Sequence, residues 1–255
     1  MVQLKYFGNS RDYFKYDLIT SILEGMKIDH YVFVPMLTNH QIDNEGNKTP
    51  MMIGGKSAAL LSFIGDCGSK SPSLCHWEQW LNRYVKSYKT IEPADNIYFT
   101  DSARHEYWVS FTEHLKEDNA LIFLDPDTGL ESGTNSYLQK MGREKYILNH
   151  EIELLYRHLR PSSILMIYQH LPNNKHIHEE AVHNKLAQLR TASGGNFISA
   201  YREDDLAFLF VTKDEIIHDK LCGLLSAYHD KSQHKYKSLH ITNMPVHSDA
   251  LKGGA

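Results

Sequence analysis

"NFISAYREDDLAFLFVT", residues 196–212, holds two apolar runs, NFISAY and LAFLFVT, separated by the polar REDD. Side chains such as Phe, Ile, Val and Tyr favour an extended backbone, where branched and aromatic groups pack well. Two strands this close must pair antiparallel as a hairpin, because a parallel return needs a crossover of about a dozen residues. Upstream the chain alternates instead. Strand-like runs HYVFVPM (30–36), NIYFT (96–100), ALIFLD (120–125) and SILMIYQ (163–169) are set among segments of helical period. Those segments are 10–26, with Gly25 near its stop, 74–88, 102–117 with Ser102 as cap, and 143–160 ended by Pro161. Two more cover 174–192, ended by Gly194 and Gly195, and 214–230. Alternation of this kind predicts parallel strands covered by helices on both faces. The uninterrupted apolar runs ALIFL and SILMIY fit strands buried on both sides. The fold class expected is α/β, a mostly parallel sheet closing in one C-terminal antiparallel hairpin.

The 255 residues read as a single α/β domain over 1–230, with an irregular insertion at about 38–73 and a polar, loosely held tail over 231–255. A net charge of −4 excludes a protein coated in basic surface, so a nucleic-acid partner would need a local basic face. Cys67, Cys75 and Cys222 form no pair motif, which suits a reducing compartment. The N-terminus lacks the apolar core of a signal peptide, and no run reaches the ~18 apolar residues of a membrane span. The expectation is a cytoplasmic protein without a membrane partner.

The chemistry concentrates in LIFLDPDTGLESG, residues 121–133. In open α/β sheets ligands sit beyond the carboxyl ends of the strands, and Asp125 falls at such an end. Pro126 pushes Asp125 toward an extended backbone, and Asp127-Thr128-Gly129 has turn chemistry. Glu131 adds a third carboxylate. Asp125, Asp127 and Glu131 are therefore the candidate catalytic residues, with an acid-capped turn as the plainer alternative. Tyr168 and His170 end the following strand and could contact substrate, His170 as an acid or base near neutral pH. Lys145 could meet an anion or simply be solvated. Asp12 and Lys15 are three apart on the first helix and could hold a ligand or pair with one another.

Three stretches carry a family resemblance. FLDPDTGLE (123–131) resembles the Asp-Pro-Pro-Tyr motif of amino-group methyltransferases, which follows their fourth strand, and is nearest in layout to the LIDPPYE of ribosomal-RNA adenine methyltransferases. GNSRDYFKYDLITSIL (8–23) resembles their N-terminal GNHADVLKH helix, and EIELLYRHLRPSSILMIYQHLP (151–172) their helix and fifth strand. The chain is more similar still to an uncharacterised family built on GDxxDxxKYxLL and FLDPDxGLE. The resemblance implies a Rossmann-like fold of class I methyltransferase type, whose seventh strand turns back into the sheet. It implies S-adenosylmethionine as cofactor, with Asp12 and Lys15 beside it, and an acceptor amino group held by Asp125, in nucleic acid. Two departures stand out. VFVPMLTNH (32–40) has no glycine where the family turns closely around the cofactor, and Asp127-Thr128 replaces Pro-Tyr.

A second chemistry uses the same acids. Asp125, Asp127 and Glu131 could hold Mg²⁺ or Mn²⁺, with Lys145 steadying phosphate charge, in a metal-dependent nuclease or phosphodiesterase. A third reading is a non-catalytic Rossmann-like domain that binds a nucleotide or a partner.

Overall fold

The computed structural model describes residues 7–38, 57–68, 73–92 and 98–242. In its first half, helix α1 (Ser10–Met26) leads to β1 (His30–Pro35). Two helices follow, α2 (Ala58–Gly68) and α3 (Cys75–Leu81), then β2 (Ser87–Thr90), α4 (Arg104–Phe111) and β3 (Ala120–Asp125). An excursion then runs through β4 (Gly129–Leu130), α5 (Asn135–Met141) and β5 (Tyr146–Ile147) to α6 (Asn149–His158). The rest is β6 (Ile164–His170), α7 (His178–Ser193), β7 (Phe197–Glu203), β8 (Leu206–Thr212), α8 (Glu215–Lys231) and β9 (Lys237–Thr242).

Seven strands form one sheet in the order β2-β1-β3-β6-β8-β7-β9. The first four in that order are mutually parallel, and β8 enters antiparallel between β6 and β7. With β9 antiparallel to β7, five strands run one way and two the other. The hairpin expected over 196–212 forms across Asp204 and Asp205, with Asp204 at φ 54°. This is the mostly parallel, Rossmann-like α/β sheet that the sequence led us to expect.

Alternate side chains of each strand feed two cores. Tyr31, Phe33, Phe123, Tyr168 and Phe208 pack beneath α1, α2, α3 and α8, while Val32, Val34, Ile122, Leu124 and Ile167 pack beneath α4, α6 and α7. Every residue of β3 is buried, so its carboxyl end is fixed by packing on both faces. Helix α1 starts where Asn9 accepts hydrogen bonds from the Arg11 and Asp12 amides, and so its first turn sits at that same edge of the sheet. Gly194, at φ 67°, ends α7 as expected.

Several boundaries differ from the sequence reading. The helix expected over 74–88 stops at Leu81, and Ser87–Thr90 instead pairs with β1 as a strand. The edge of β1 offers backbone partners that outweigh the helical pattern, and Lys86 and Ser87 both donate to the Asp29 carbonyl. Of the strand expected at 96–100, residues 96 and 97 lie outside the described residues and Tyr98–Thr100 is irregular. Ser102 does not cap α4, which begins at Arg104 with no side-chain cap; residues 112–116 tighten into a 3₁₀ turn. The helix expected over 143–160 splits into a 3₁₀ turn at Arg143–Lys145, the strand β5, and α6. Of the insertion at 38–73, residues 39–56 and 69–72 lie outside the described residues, and Ala58–Gly68 is helical. The tail is also more ordered than expected, since Lys237–Thr242 joins the sheet; residues 243–255 lie outside the described residues.

Candidate functional site

Strand β3 delivers Asp125 to the carboxyl edge of the sheet, where α1 brings Lys15 against it. The Lys15 ammonium lies 2.8 and 3.1 Å from the two Asp125 oxygens. It also lies 3.3 Å from Asp12 and 4.8 Å from the centre of the Tyr168 ring. Lys15 and Asp125 are each only 2% exposed. Burial opposes the Lys15 charge, but the carboxylates of Asp125 and Asp12 outweigh it and raise the lysine pKa above its ordinary value. Asp12 also accepts from the Gly8 amide at 3.1 Å, which ties the start of α1 to the pair. Four sequence candidates, Asp12, Lys15, Asp125 and Tyr168, are thus gathered from α1, β3 and β6.

Asp127 is buried beside this pair in sequence, and its Oδ1 has no hydrogen-bond partner. The Tyr168 hydroxyl and Thr38 Oγ1, at the ends of β6 and β1, are likewise buried and unpartnered. With Asp127 Oδ1 they are three of ten such side-chain atoms among the described residues, and these three fall near the ends of β3, β6 and β1, the edge where ligands of α/β sheets sit. Residues Met36, Leu37 and Thr38 are all buried where β1 leaves the sheet. The Met36 amide donates to the Asp125 carbonyl and the Leu37 carbonyl accepts from Phe99. The exit of β1 is therefore lined by buried side chains and not by glycine backbone.

Glu131 and Lys145 belong to the β4–β5 side. The Glu131 carboxylate accepts from Asn149 at 2.5 Å and its amide donates to the Ile147 carbonyl at 2.9 Å. The Lys145 carbonyl accepts from the Thr128 amide at 3.0 Å. Among the described residues, no three His, Cys, Asp or Glu side chains gather as a group able to hold a metal ion. Asp125, Asp127 and Glu131 are not assembled into one ligand set.

His170 is held by two residues that sequence reasoning missed. Its Nε2 lies 3.1 Å from the Arg11 guanidinium and 3.6 Å from Asp205, while Arg11 and Asp205 pair at 2.6 Å. Burial opposes the Asp205 charge, but hydrogen bonds from His170 and Arg11 outweigh it and hold its carboxyl well below the usual range. Hairpin register contains the clue: His170 pairs with Leu206, so the preceding turn must overhang the end of β6.

Gln169 is a further missed residue. Its carboxamide accepts from the Leu130 amide at 3.0 Å and donates to the Thr128 and His170 carbonyls at 3.3 and 2.8 Å. Gly129, at φ 128°, passes so near that a Cβ there would stand 2.4 Å from the Gln169 oxygen. Only glycine meets both demands. Beyond this turn, between α5 and α7, opens a cavity of about 750 Å³.

No family model matches the chain, and no curated protein matches it. Among solved structures, the chain is similar to the crystal structure of a protein of Legionella pneumophila str. Philadelphia 1 assigned to the family model DUF519. The TM-score is 0.48 at 11% identity, over 92% of this chain and 97% of that one. Among the described residues, no helix is long and apolar enough to cross a membrane. Sheet order and the two helical layers establish a Rossmann-like α/β protein.

Proposed function

We propose that this chain is a methyltransferase-like enzyme that uses S-adenosylmethionine to methylate an amino group in nucleic acid, at the Asp125–Asp127 edge of the sheet. The observation that carries this reading is the buried Lys15–Asp125 pair set over the Tyr168 ring, whose hydroxyl is buried and unpartnered. The residues fit the polar end of such a cofactor: Asp12 would face its ammonium and Thr38 would offer a hydroxyl. Its adenosyl part would be met by side chains near Met36 and Leu37, since glycine backbone is lacking there. The bound cofactor supplies an electrophilic methyl group.

The chain's own residues divide the remaining work. Both oxygens of Asp125 accept from Lys15, and we assign Asp125 to bracing the site and Asp127 to holding the acceptor. Asp127 has the free oxygen. Accepting one N–H of the acceptor amine, Asp127 would orient that nitrogen, steady the positive charge that develops on it and take up the proton it sheds. Tyr168, stacked under the Lys15 charge, offers its hydroxyl to the same ligand.

Calorimetric titration with S-adenosylmethionine, followed by transfer of a labelled methyl group to single-stranded RNA and DNA, tests the reading. Wild-type protein is expected to bind the cofactor and transfer label. Asp127→Asn should keep cofactor affinity and lose transfer by about 100-fold, the scale of a misdirected proton acceptor. Absence of both binding and transfer overturns the proposal. Heat with Mg²⁺ or Mn²⁺ in place of the cofactor would overturn it in favour of metal-dependent hydrolysis.

A further inference from the structure

Lys185, on the inner face of α7, is a half-buried cation without a carboxylate counter-ion among the described residues. Its ammonium donates to the Leu130 and Glu131 carbonyls at 3.0 and 2.8 Å and to the Gln188 side chain at 3.0 Å. All three acceptors are neutral. The one acid that acts on Lys185 is Glu131, whose carboxylate is engaged by Asn149. Burial pulls the lysine pKa down to about 8, and Glu131 only partly opposes it. A half-buried ammonium whose hydrogen bonds all go to neutral oxygens, with Glu131 acting on it only from beyond salt-bridge reach, lacks a paired countercharge.

This cation lines the cavity of about 750 Å³, a size suited to a small organic ligand. Among the described residues, no Asp or Glu lines it. The titratable groups that do are Lys185, His170 and the phenols of Tyr137 and Tyr146. The rest of the wall is largely apolar. Tyr137 and Met141 lie one turn apart on α5, 45% and 39% exposed, and Leu171 and Pro172 face them from the chain after β6.

We propose that this cavity is a second binding site, which takes an organic anion. A carboxylate or phosphate monoester would sit at Lys185, replacing the Gln188 oxygen as third acceptor of its ammonium, and the apolar body attached to it would lie against Tyr137, Met141 and Pro172. The anion supplies the countercharge that the fold withholds, and the apolar body covers the exposed wall. The site does not depend on the methyltransferase reading, since none of Asp12, Lys15, Asp125 or Asp127 lines it.

Benzoate and phenyl phosphate serve as probes, with benzamide and inorganic phosphate as their neutral and body-less counterparts, titrated by calorimetry into the full chain. Saturable binding by either aromatic anion, with both counterparts at least about tenfold weaker, is the expected result. Affinity should fall about tenfold between pH 7 and pH 9 as the free lysine loses its proton. Lys185→Met should lose that affinity and Lys185→Arg keep it, while heat with S-adenosylmethionine stays unchanged in both. If Lys185→Met does not fold, protection of wild-type Lys185 from an amine-acylating reagent by benzoate decides the matter. Benzamide binding as tightly as benzoate overturns the proposal. So does a flat pH profile, an unchanged Lys185→Met, inorganic phosphate matching phenyl phosphate, or no saturable binding by either anion.

Discussion

Lys15 and Asp125 form an ion pair sealed from water, and such a pair is asymmetric to mutation. Removing one partner strands the other charge; replacing both removes the desolvation penalty as well. Lys15→Met is expected to destabilise the fold by about 3–5 kcal/mol in urea denaturation. Lys15→Met combined with Asp125→Leu should recover most of that loss. No measurable loss in Lys15→Met would show that the pair is incidental to stability. Gly129→Ala tests the turn that follows: with φ at 128° and Gln169 in the way, a loss of about 1–3 kcal/mol is expected. At this scale the sequence was informative where chemistry is local. Asp12, Lys15, Asp125 and Tyr168 each sit at a helix start or strand end that patterning locates. Arg11 and Asp205 were not legible, because their meeting spans 194 residues and depends on hairpin register. Gln169 reads as one more polar residue leaving a strand until Gly129 is seen pressed against it.

Among elements, the break between β5 and α6 is the instructive case. Residues 143–160 contain no glycine or proline, and their apolar spacing suits one helix. Arg104, 42 residues upstream of Tyr146, pulls the segment out of that helix. Its guanidinium takes the Arg143 carbonyl at 2.6 Å and the Tyr146 carbonyl at 3.2 Å, and grips both Glu151 oxygens at 2.7 and 2.8 Å. Glu151 in turn accepts from the Leu148 amide at 2.7 Å, so the helix can start only beyond that residue. A side chain on another helix therefore decides a boundary that periodicity assigned otherwise. Arg104→Met should strand Glu151 and cost about 3 kcal/mol or more. Hydrogen exchange gives the sharper test. The Thr128 and Glu131 amides, which bond across to Lys145 and Ile147, should lose protection before the amides of β3 do. Uniform loss across the sheet would mean that Arg104 stabilises the whole fold and not this excursion.

For the whole molecule, the central sheet was legible because strands buried on two faces leave continuous apolar runs, and a tight hairpin leaves no choice of direction. Strands β2, β4, β5 and β9 were not, being short or only half-buried and dependent on a partner edge. The same division between local and assembled features governs how stability responds to pH. Asp205 has a folded pKa below its unfolded value of about 3.9, because the His170 and Arg11 hydrogen bonds exist only in the assembled fold. Its contribution is complete above that unfolded value and is lost as pH falls below it, since the unfolded chain then binds the proton more readily. Lys185 acts on the opposite flank. Its folded pKa of about 8 lies below the ordinary lysine value of 10.5, so between those limits the unfolded chain holds more protons and stability rises with pH. Denaturant midpoints measured across pH should therefore fall on the acid side in wild type and fall less in Asp205→Asn. Between pH 8 and 10 a rising component should be present in wild type and missing in Lys185→Met. A saturating organic anion should abolish that rise, because the countercharge lifts the lysine pKa back toward its unfolded value. If the alkaline rise survives in Lys185→Met, the lysine is not the group responsible.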